Sequence, residues 1–411
     1  MDPERVFPAD VLADILMRLP PNTRRLLRLV SRHWRDVVGE RTATSLRSRA
    51  KTLIATTTGS PCVVDDLSSS PAPGTSHRNL WADWFTEMTY KGTSVVGTCN
   101  GLVCLYANRA PGGAITVIKP DTPFSGLAIP PLPPPPSLTA DRCSLYNRGR
   151  QEAYSFAYLP TTRRYSVVHV PCHVNRSVYD AVHVFTLGEA SWREVPAEPA
   201  ARCDLAYGVV SVDGATYWVA APEGTEKIMF FDLEDERVMS ITTLPCALSR
   251  SKDGGSWHLA EVEGRLGIVF THASSAVDKI EVWVLEGARG GRKIRWSRWY
   301  VVRTITPKPG RSPITRRRRL TLPLFVHGER ILTWEWLLNE RACVLYSHTP
   351  TNNPKKAKRG VVNITEENRG TRVTNMDIAG YDDVRRTFGY VETNEPLSIY
   401  KINLRDQLIS T

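Results

Sequence analysis

Four times along this chain a turn-forming residue pair interrupts apolar runs of strand length: Asn100-Gly101 in CNGLVCLY, Asp213-Gly214 in VDGATYWVA, Glu263-Gly264 in VEGRLGIVF and His327-Gly328 in VHGERILTW. A glycine there supplies the positive φ that a tight hairpin needs, so each pair predicts two antiparallel strands. The last three of these glycines stand 50 and 64 residues apart, and a second strand pair follows each, as in KIMFFDLEDERVMSITTLP and KIEVWVLEGARGGRKIRWSRWYVV. Units of about four strands, recurring roughly every 40 to 60 residues, mark the blades of a propeller, because one blade cannot cover its own faces and a ring of blades can. Residues 95–132, 152–196, 206–246, 256–303 and 321–366 each hold such a unit, and strands near 52–66 and 373–403 can complete a sixth and close the circle. The predicted fold is mainly β with a small N-terminal α module: a three-helix block over 1–50, a connecting segment with candidate first strands over 51–94, and a propeller-like domain of about six blades over 95–411. A β-sandwich array or an irregular barrel also satisfies a repeat this degenerate.

The chain opens differently. In FPADVLADILMRLPPNTRRLLRLVSRHWRDVV, residues 7–38, Leu12, Ile15, Leu16 and Leu19 recur at helical spacing and fall on one stripe. Asp10 and Asp14 lie near the helix start, where the dipole favours acid. Pro20-Pro21 ends this helix, Asn22 or Thr23 caps a second that runs to Val30, and Ser31 caps a third in which Trp34, Val37 and Val38 face inward. A block this small cannot bury enough apolar surface to offset its ordering entropy, so something must cover it. The cover is either the rest of the same chain, the commoner fate of an amphipathic helix, or another protein.

With 42 % hydrophobic and 23 % charged residues, the 411-residue chain has the composition of a globular protein and not of a disordered one. Its net charge of +11 is concentrated in short runs, PKPGRSPITRRRR with Arg316–Arg319 and PKKAKR with Lys355–Arg359. Such runs act as nuclear-import signals or touch nucleic acid, but neither carries the interleaved aromatics that base stacking requires. Solvated loop charge is therefore the expectation, and nucleic acid is not an expected partner. No apolar stretch of about 18 residues occurs, and Met1-Asp2-Pro3-Glu4 is acidic where a signal peptide is basic. The expectation is an intracellular protein of nucleus or cytoplasm with no membrane partner.

Eight cysteines without a C-x-x-C pair suit reduced, buried thiols. His169, Cys172 and His173 have metal-like spacing but lie in a strand pattern without a second ligand pair, so neither a metal site nor a cofactor is expected. IPPLPPPPSL, Ile129–Leu138, is a polyproline II segment, read either as an SH3 or WW ligand or as a stiff connector between the first two units, the reading preferred. Trp192, Trp218, Trp283, Trp296, Trp299, Trp334 and Trp336 lie in alternating strand patterns, where large aromatics fill the space between sheets. G-x-S-x-G, H-E-x-x-H, the P-loop and the dinucleotide fingerprint are all absent, so no catalytic residue is expected.

The order Phe7-Pro8, Val11-Leu12, Ile15-Leu16, Leu19-Pro20, Val30, Arg32, Trp34-Arg35 resembles the F-box motif, a three-helix module that binds the Skp-type adaptor of cullin-RING ubiquitin ligases. The resemblance implies an adaptor-binding face of Phe7, Pro8, Val11, Leu12, Ile15, Leu16, Leu19, Pro20, Val30 and Trp34. It departs from the motif at Arg24-Arg25-Leu26, where an apolar pair followed by a basic residue is frequent, and at Ser31, where cysteine is frequent. Further on, GTCNGLVCL, YLPTTRRYSVV, VFTLGEASWREV, GATYWVA, IMFFDLEDERV and IEVWVLE resemble, in order and spacing, the F-box-associated domain of plant F-box proteins. ITVIKPDT departs, with Lys119-Pro120 where Asn-Pro is usual. That resemblance implies a kelch-like or related propeller acting as a substrate platform, and a whole protein serving as the substrate-recognition subunit of an SCF (Skp-cullin-F-box) E3 ubiquitin ligase. The substrate-binding residues and the target protein stay unassigned. Two alternatives stand beside it: an F-box protein acting as a scaffold outside the ligase, and a propeller lectin or enzyme with an accessory F-box.

Overall fold

The computed structural model describes residues 8–18, 27, 30–31, 33–34 and 37 of the helical block. In the β region it describes 51–56, 62–64, 67, 77–79, 93–107, 113–120, 126–133, 150–159, 161–174, 177–222, 225–241, 244–245, 256–272, 277–286, 295–305, 324–326, 330–337, 342–353, 355, 357–365, 368, 370–376, 384–392 and 396–400. Before the strands, helix α1 spans Ala9–Arg18.

The strands form six blades. β1 (Lys51–Thr56), β2 (Cys62–Val64) and β3 (His77–Asn79) come first but belong to the last blade. Blade one is β4 (Thr93–Cys99), β5 (Leu102–Ala107), β6 (Ala114–Ile118) and β7 (Gly126–Ile129). Blade two runs β8 (Tyr154–Leu159), β9 (Arg164–His169), β12 (Ala181–Thr186) and β13 (Arg193–Pro196), with a hairpin of β10 (Cys172–Val174) and β11 (Ser177–Tyr179) inserted at its middle. Blade three is β14 (Val210–Val212), β15 (Ala215–Ala220), β16 (Lys227–Asp232) and β17 (Arg237–Ile241); blade four is β18 (Ser256–Val262), β19 (Arg265–His272), β20 (Val277–Glu286) and β21 (Arg295–Ile305). Blade five comprises β22 (Leu324–Val326), β23 (Arg330–Leu337), β24 (Ala342–His348) and β26 (Thr371–Met376), while β25 (Gly360–Ile364) leaves it for blade four. Finally β27 (Val384–Tyr390) pairs with β1 in register Lys51↔Tyr390 to Thr56↔Val384, so the sixth blade takes its inner strand from one end of the β region and its outer strands from the other.

The first strand of each blade is innermost: β4 packs on β8, β8 on β14, β14 on β18, and β22 on β27, which returns to β4. Across that closure the Thr98 hydroxyl donates to the carbonyl of Gly389 at 3.0 Å, and Arg330 of blade five donates to the carbonyl of Leu67 at 3.0 Å. Three of the four anticipated hairpin turns are described, and each has positive φ at both central residues: 49° and 84° at Asn100-Gly101, 50° and 69° at Asp213-Gly214, and 50° and 72° at Glu263-Gly264. That is the type I′ geometry, whose twist matches the strands it joins. His327-Gly328 lies outside the described residues.

Among the described residues, the large apolar clusters of the ring each join neighbouring blades. Tyr106 and Leu102 of blade one meet Tyr154, Phe156 and Tyr165 of blade two; Val168 and Val182 of blade two meet Trp218 and Phe231 of blade three; Leu53 and Tyr390 of the closing blade meet Val103 and Leu105 of blade one. The middle strands β12 and β15 are buried along their whole length because both faces are covered, which is why VFT and TYWVA read as continuous apolar runs and not as alternating ones. Trp218 is fully buried and its indole N–H donates to the carbonyl of Ala201 at 2.6 Å. The polyproline segment begins as a docked connector: Ile129 and Leu132 sit in the layer between blades one and two, and the carbonyl of Pro130 accepts the Trp192 indole N–H at 2.8 Å.

Two sequence expectations are corrected. The unit over 321–366 does not supply its own fourth strand: residues 360–364 pair in parallel with Tyr300–Thr304 of blade four, and blade five is completed by β26, from the region expected to close the ring. For PKKAKR the expectation holds for the charges, with Lys355, Lys358 and Arg359 exposed, and fails for the backbone, which is not a free loop. Its Lys358 and Arg359 backbone N–H groups donate to the carbonyls of Arg298 and Trp299 at 2.9 Å each, and Ala357 is buried against Val301 and Val361. A basic run chosen by composition hides this, because pairing depends on an edge far away in the sequence. Arg316–Arg319 lie outside the described residues.

Two outcomes follow for stability. Trp218→Ala removes a fully buried indole from between blades two and three and is expected to cost about 3–5 kcal/mol, read as a lowered urea midpoint. His348 is buried with its Nε2 2.7 Å from the Thr333 hydroxyl, and burial lowers its pKa from 6.5 to about 4. Between those values the unfolded chain takes up the proton and the folded chain does not, so stability falls as pH drops from 7 toward 4. The loss should be on the order of 3 kcal/mol when complete, and His348→Gln should flatten this part of the pH dependence of the urea midpoint.

Candidate adaptor-docking module and recognition faces

The helical block has its own core. Leu12 and Leu16, four residues apart on α1, are fully buried together with Ala13 and Val37, and Ala9, Leu27 and Trp34 pack partly buried around them. Among the described residues, no member of this cluster comes from the β domain. The helix starts with the Leu12 N–H donating to the carbonyl of Pro8 at 3.0 Å, and the expected Ser31 cap forms, its hydroxyl accepting from the Trp34 N–H at 3.3 Å.

The neighbouring line of α1 is open, as is Val30 beyond it. Val11 is 48 % exposed, Ile15 42 % and Val30 60 %, three of the few large apolar side chains exposed among the described residues. Pro8, Asp10 and Asp14 are exposed as well. The predicted single face of ten residues is therefore divided: Leu12, Leu16 and, in part, Trp34 hold the module together, while Pro8, Val11, Ile15 and Val30 face outward. Helical spacing puts Leu12 with Leu16 and Val11 with Ile15 on adjacent lines of one broad stripe, and only the packing of the later helical residues decides which line is covered. Phe7, Leu19 and Pro20 lie outside the described residues.

The propeller offers two faces. Because each blade is an antiparallel meander starting at its inner strand, first-to-second and third-to-fourth turns share one face, and middle loops and blade-to-blade connections share the other. The turn face is tied down. Arg193 pairs with Glu189 in its own blade and with Glu236 of blade three at 2.7 Å, Arg164 reaches Glu189 at 3.1 Å, and the Asn100 amide donates to the Tyr165 hydroxyl at 3.1 Å. The opposite face carries the inserted β10–β11 hairpin, anchored by Arg202 to Asp180 at 2.5 Å and by backbone β-pairing of Cys172 with Cys203, both free thiols.

The three residues with metal-like spacing diverge. His169 is buried, with its ring 4.7 Å from that of Tyr154 and 4.6 Å from that of Tyr179; Cys172 enters the layer toward blade three; His173 is exposed. Among the described residues no group of three or more His, Cys, Asp or Glu side chains is arranged to hold a metal ion. Burial pushes the Cys172 thiol up to about 12 and raises those of Cys104 and Cys203, so these thiols are poor nucleophiles near neutral pH. Trp218, Trp257 and Trp299 are buried and Trp192, Trp283 and Trp296 partly so, filling space within and between blades. The side chains of Trp334 and Trp336 are outside the described set. The inserted hairpin, hidden in a run that reads as ordinary strand, and the crossing strand β25 are the features that sequence reasoning missed. Among the described residues no helix is long and apolar enough to cross a membrane.

Comparison with known proteins agrees with this division. Residues 6–42 match the F-box domain and residues 67–384 the F-box associated beta propeller domain. Among curated relatives, the chain is 24 % identical over 338 residues to F-box protein At3g07870 of Arabidopsis thaliana, covering 74 % of each. It is 26 % identical over 307 residues to the putative F-box protein At1g53370 of the same plant, covering 71 % of this chain and 73 % of that one. The F-box/kelch-repeat protein At3g04660 of Arabidopsis thaliana is 23 % identical over 318 residues, covering 72 % and 74 %. With its helical module at 6–42 and a six-bladed ring spanning most of the remainder, the chain belongs to the family of F-box proteins with an F-box-associated β-propeller domain.

Proposed function

We propose that this protein is the substrate-recognition subunit of an SCF E3 ubiquitin ligase, with the helical module docked on a Skp-type adaptor and the propeller holding a target protein. The observation that carries the reading is the exposure of Val11 and Ile15, four residues apart on α1, and of Pro8 and Val30 elsewhere on the module, beside a core of Leu12, Ala13, Leu16 and Val37. Exposed side chains of that size beside a completed core gain most from a partner's apolar surface. The mechanism is a bridge: the protein raises the effective concentration of a target lysine at the charged ubiquitin-conjugating enzyme and makes or breaks no bond itself. The face with the β10–β11 hairpin and the blade-to-blade connections is the recognition surface of this reading, since loops of variable length are where such scaffolds acquire specificity.

Purified full-length protein should retain a plant Skp-type adaptor in a pull-down, and removal of residues 1–50 should abolish retention. Ile15→Asp and Val11→Asp put a charge on the open line and are expected to weaken retention at least tenfold, or more than about 1.4 kcal/mol, with the urea midpoint unchanged. Leu16→Asp behaves differently: it buries a charge in the module core and should unfold the module, seen as rapid proteolysis within residues 1–50 while the propeller stays resistant. A folded wild-type chain that retains no adaptor overturns the reading.

A further inference from the structure

The segment between β24 and β26 makes a long excursion to the outer edge of blade four. There β25 pairs in parallel with Tyr300–Thr304, Thr351 pairs with Val361 on the far side, and Val362 and Ile364 join the apolar layer of Val282, Trp299 and Val302. Just before β25, Lys358 forms an ion pair with Glu286, and the Arg359 guanidinium lies 4.7 Å from the centre of the Trp299 ring and 3.5 Å from Glu263.

Both carboxylates are held by the blade itself, independently of the segment that meets them. Glu286 accepts from the Ser297 hydroxyl at 2.8 Å and from the Trp299 indole at 3.0 Å, and Glu263 accepts from the Tyr300 hydroxyl at 2.6 Å. Burial pushes the Glu286 carboxyl up, but the bonds from Lys358, Ser297 and Trp299 outweigh it and hold its pKa at about 2, so it is charged at any physiological pH. The edge thus combines two fixed anions, an aromatic face, a row of backbone groups that β25 pairs, and an apolar floor.

From this arrangement we infer that the edge of blade four is a seat for an extended peptide bearing adjacent Lys and Arg followed by alternating aliphatic residues, and that residues 357–364 are its resident occupant. In such strand addition the backbone and the aliphatic side chains carry affinity, and the cations set register. Lys358 and Arg359 remain partly solvated, so each ion pair adds little affinity on its own; their role is to select the sequence that fits. A resident segment tethered at both ends has an effective concentration on the order of millimolar, so an incoming segment of the same pattern enters by exchange when its owner is also held elsewhere. The inference stands whether or not the helical module docks an adaptor.

The test separates the seat from its occupant. Residues 350–369 are replaced by a Gly/Ser linker in the full chain, and a fluorescent peptide of residues 350–365 is titrated and read by anisotropy. The replaced chain should bind it at least about tenfold more tightly than the wild type, whose seat is filled. A peptide with Lys358→Glu should bind poorly, and Glu286→Lys in the seat should recover it. A replaced chain that folds with an unchanged circular dichroism spectrum but binds no peptide overturns the inference, as does equal binding of the charge-reversed peptide. Should the replaced chain fail to fold, hydrogen exchange on the wild type decides: amides of Val362 and Ile364 exchanging at least about tenfold faster than that of Val282 support an exchangeable occupant, and exchange only with global unfolding overturns it.

Discussion

Backbone pairing between β1 and β27 holds the molecule in one piece. It joins Lys51 to Tyr390 across nearly the whole β region, and without it the ring has two open ends. Because each layer is shared by two blades, a blade has no core of its own, and the stability of any one depends on its neighbours being present. A long-range contact of this kind carries a closure entropy, which the layer of Leu53, Tyr390, Val103 and Leu105 helps to offset. Tyr390 and Leu53 are fully buried there, and the bond from Thr98 to the backbone of Gly389 ties the inner strands together where the chain's two arms meet.

The crossing strand β25 adds a second long-range tie, between blades four and five. It covers an outer edge that would otherwise present unpaired backbone groups to solvent, a hazard that isolated edge strands carry. Its cations meet anions already fixed by Ser297, Trp299 and Tyr300, so the charge pattern of PKKAKR is matched to one edge of one blade.

In the helical module one amphipathic stripe is split between core and surface. Leu12 and Leu16 supply the cohesion that a block this small needs, and Val11 and Ile15, one position before each, stay exposed. A module built this way is cohesive enough to present a defined face and too small to cover that face itself.

Much of this was legible in the residues alone. Apolar runs with Asn-Gly, Asp-Gly and Glu-Gly turns dictate type I′ hairpins because the left-handed conformation at both central positions is a local property. Their repetition dictates blades, and the spacing of Leu12 and Leu16 with Ser31 as a cap dictates a helical module. These are short-range effects of backbone conformation and side-chain period. The tertiary structure alone decided that β25 leaves its own unit for a neighbour's edge, that β26 takes its place in blade five, and that Leu16 is covered while Ile15 is not. Each of these depends on which distant surface arrives to bury a given side chain or accept a given N–H, and sequence period, which describes a single segment, contains no information about that partner.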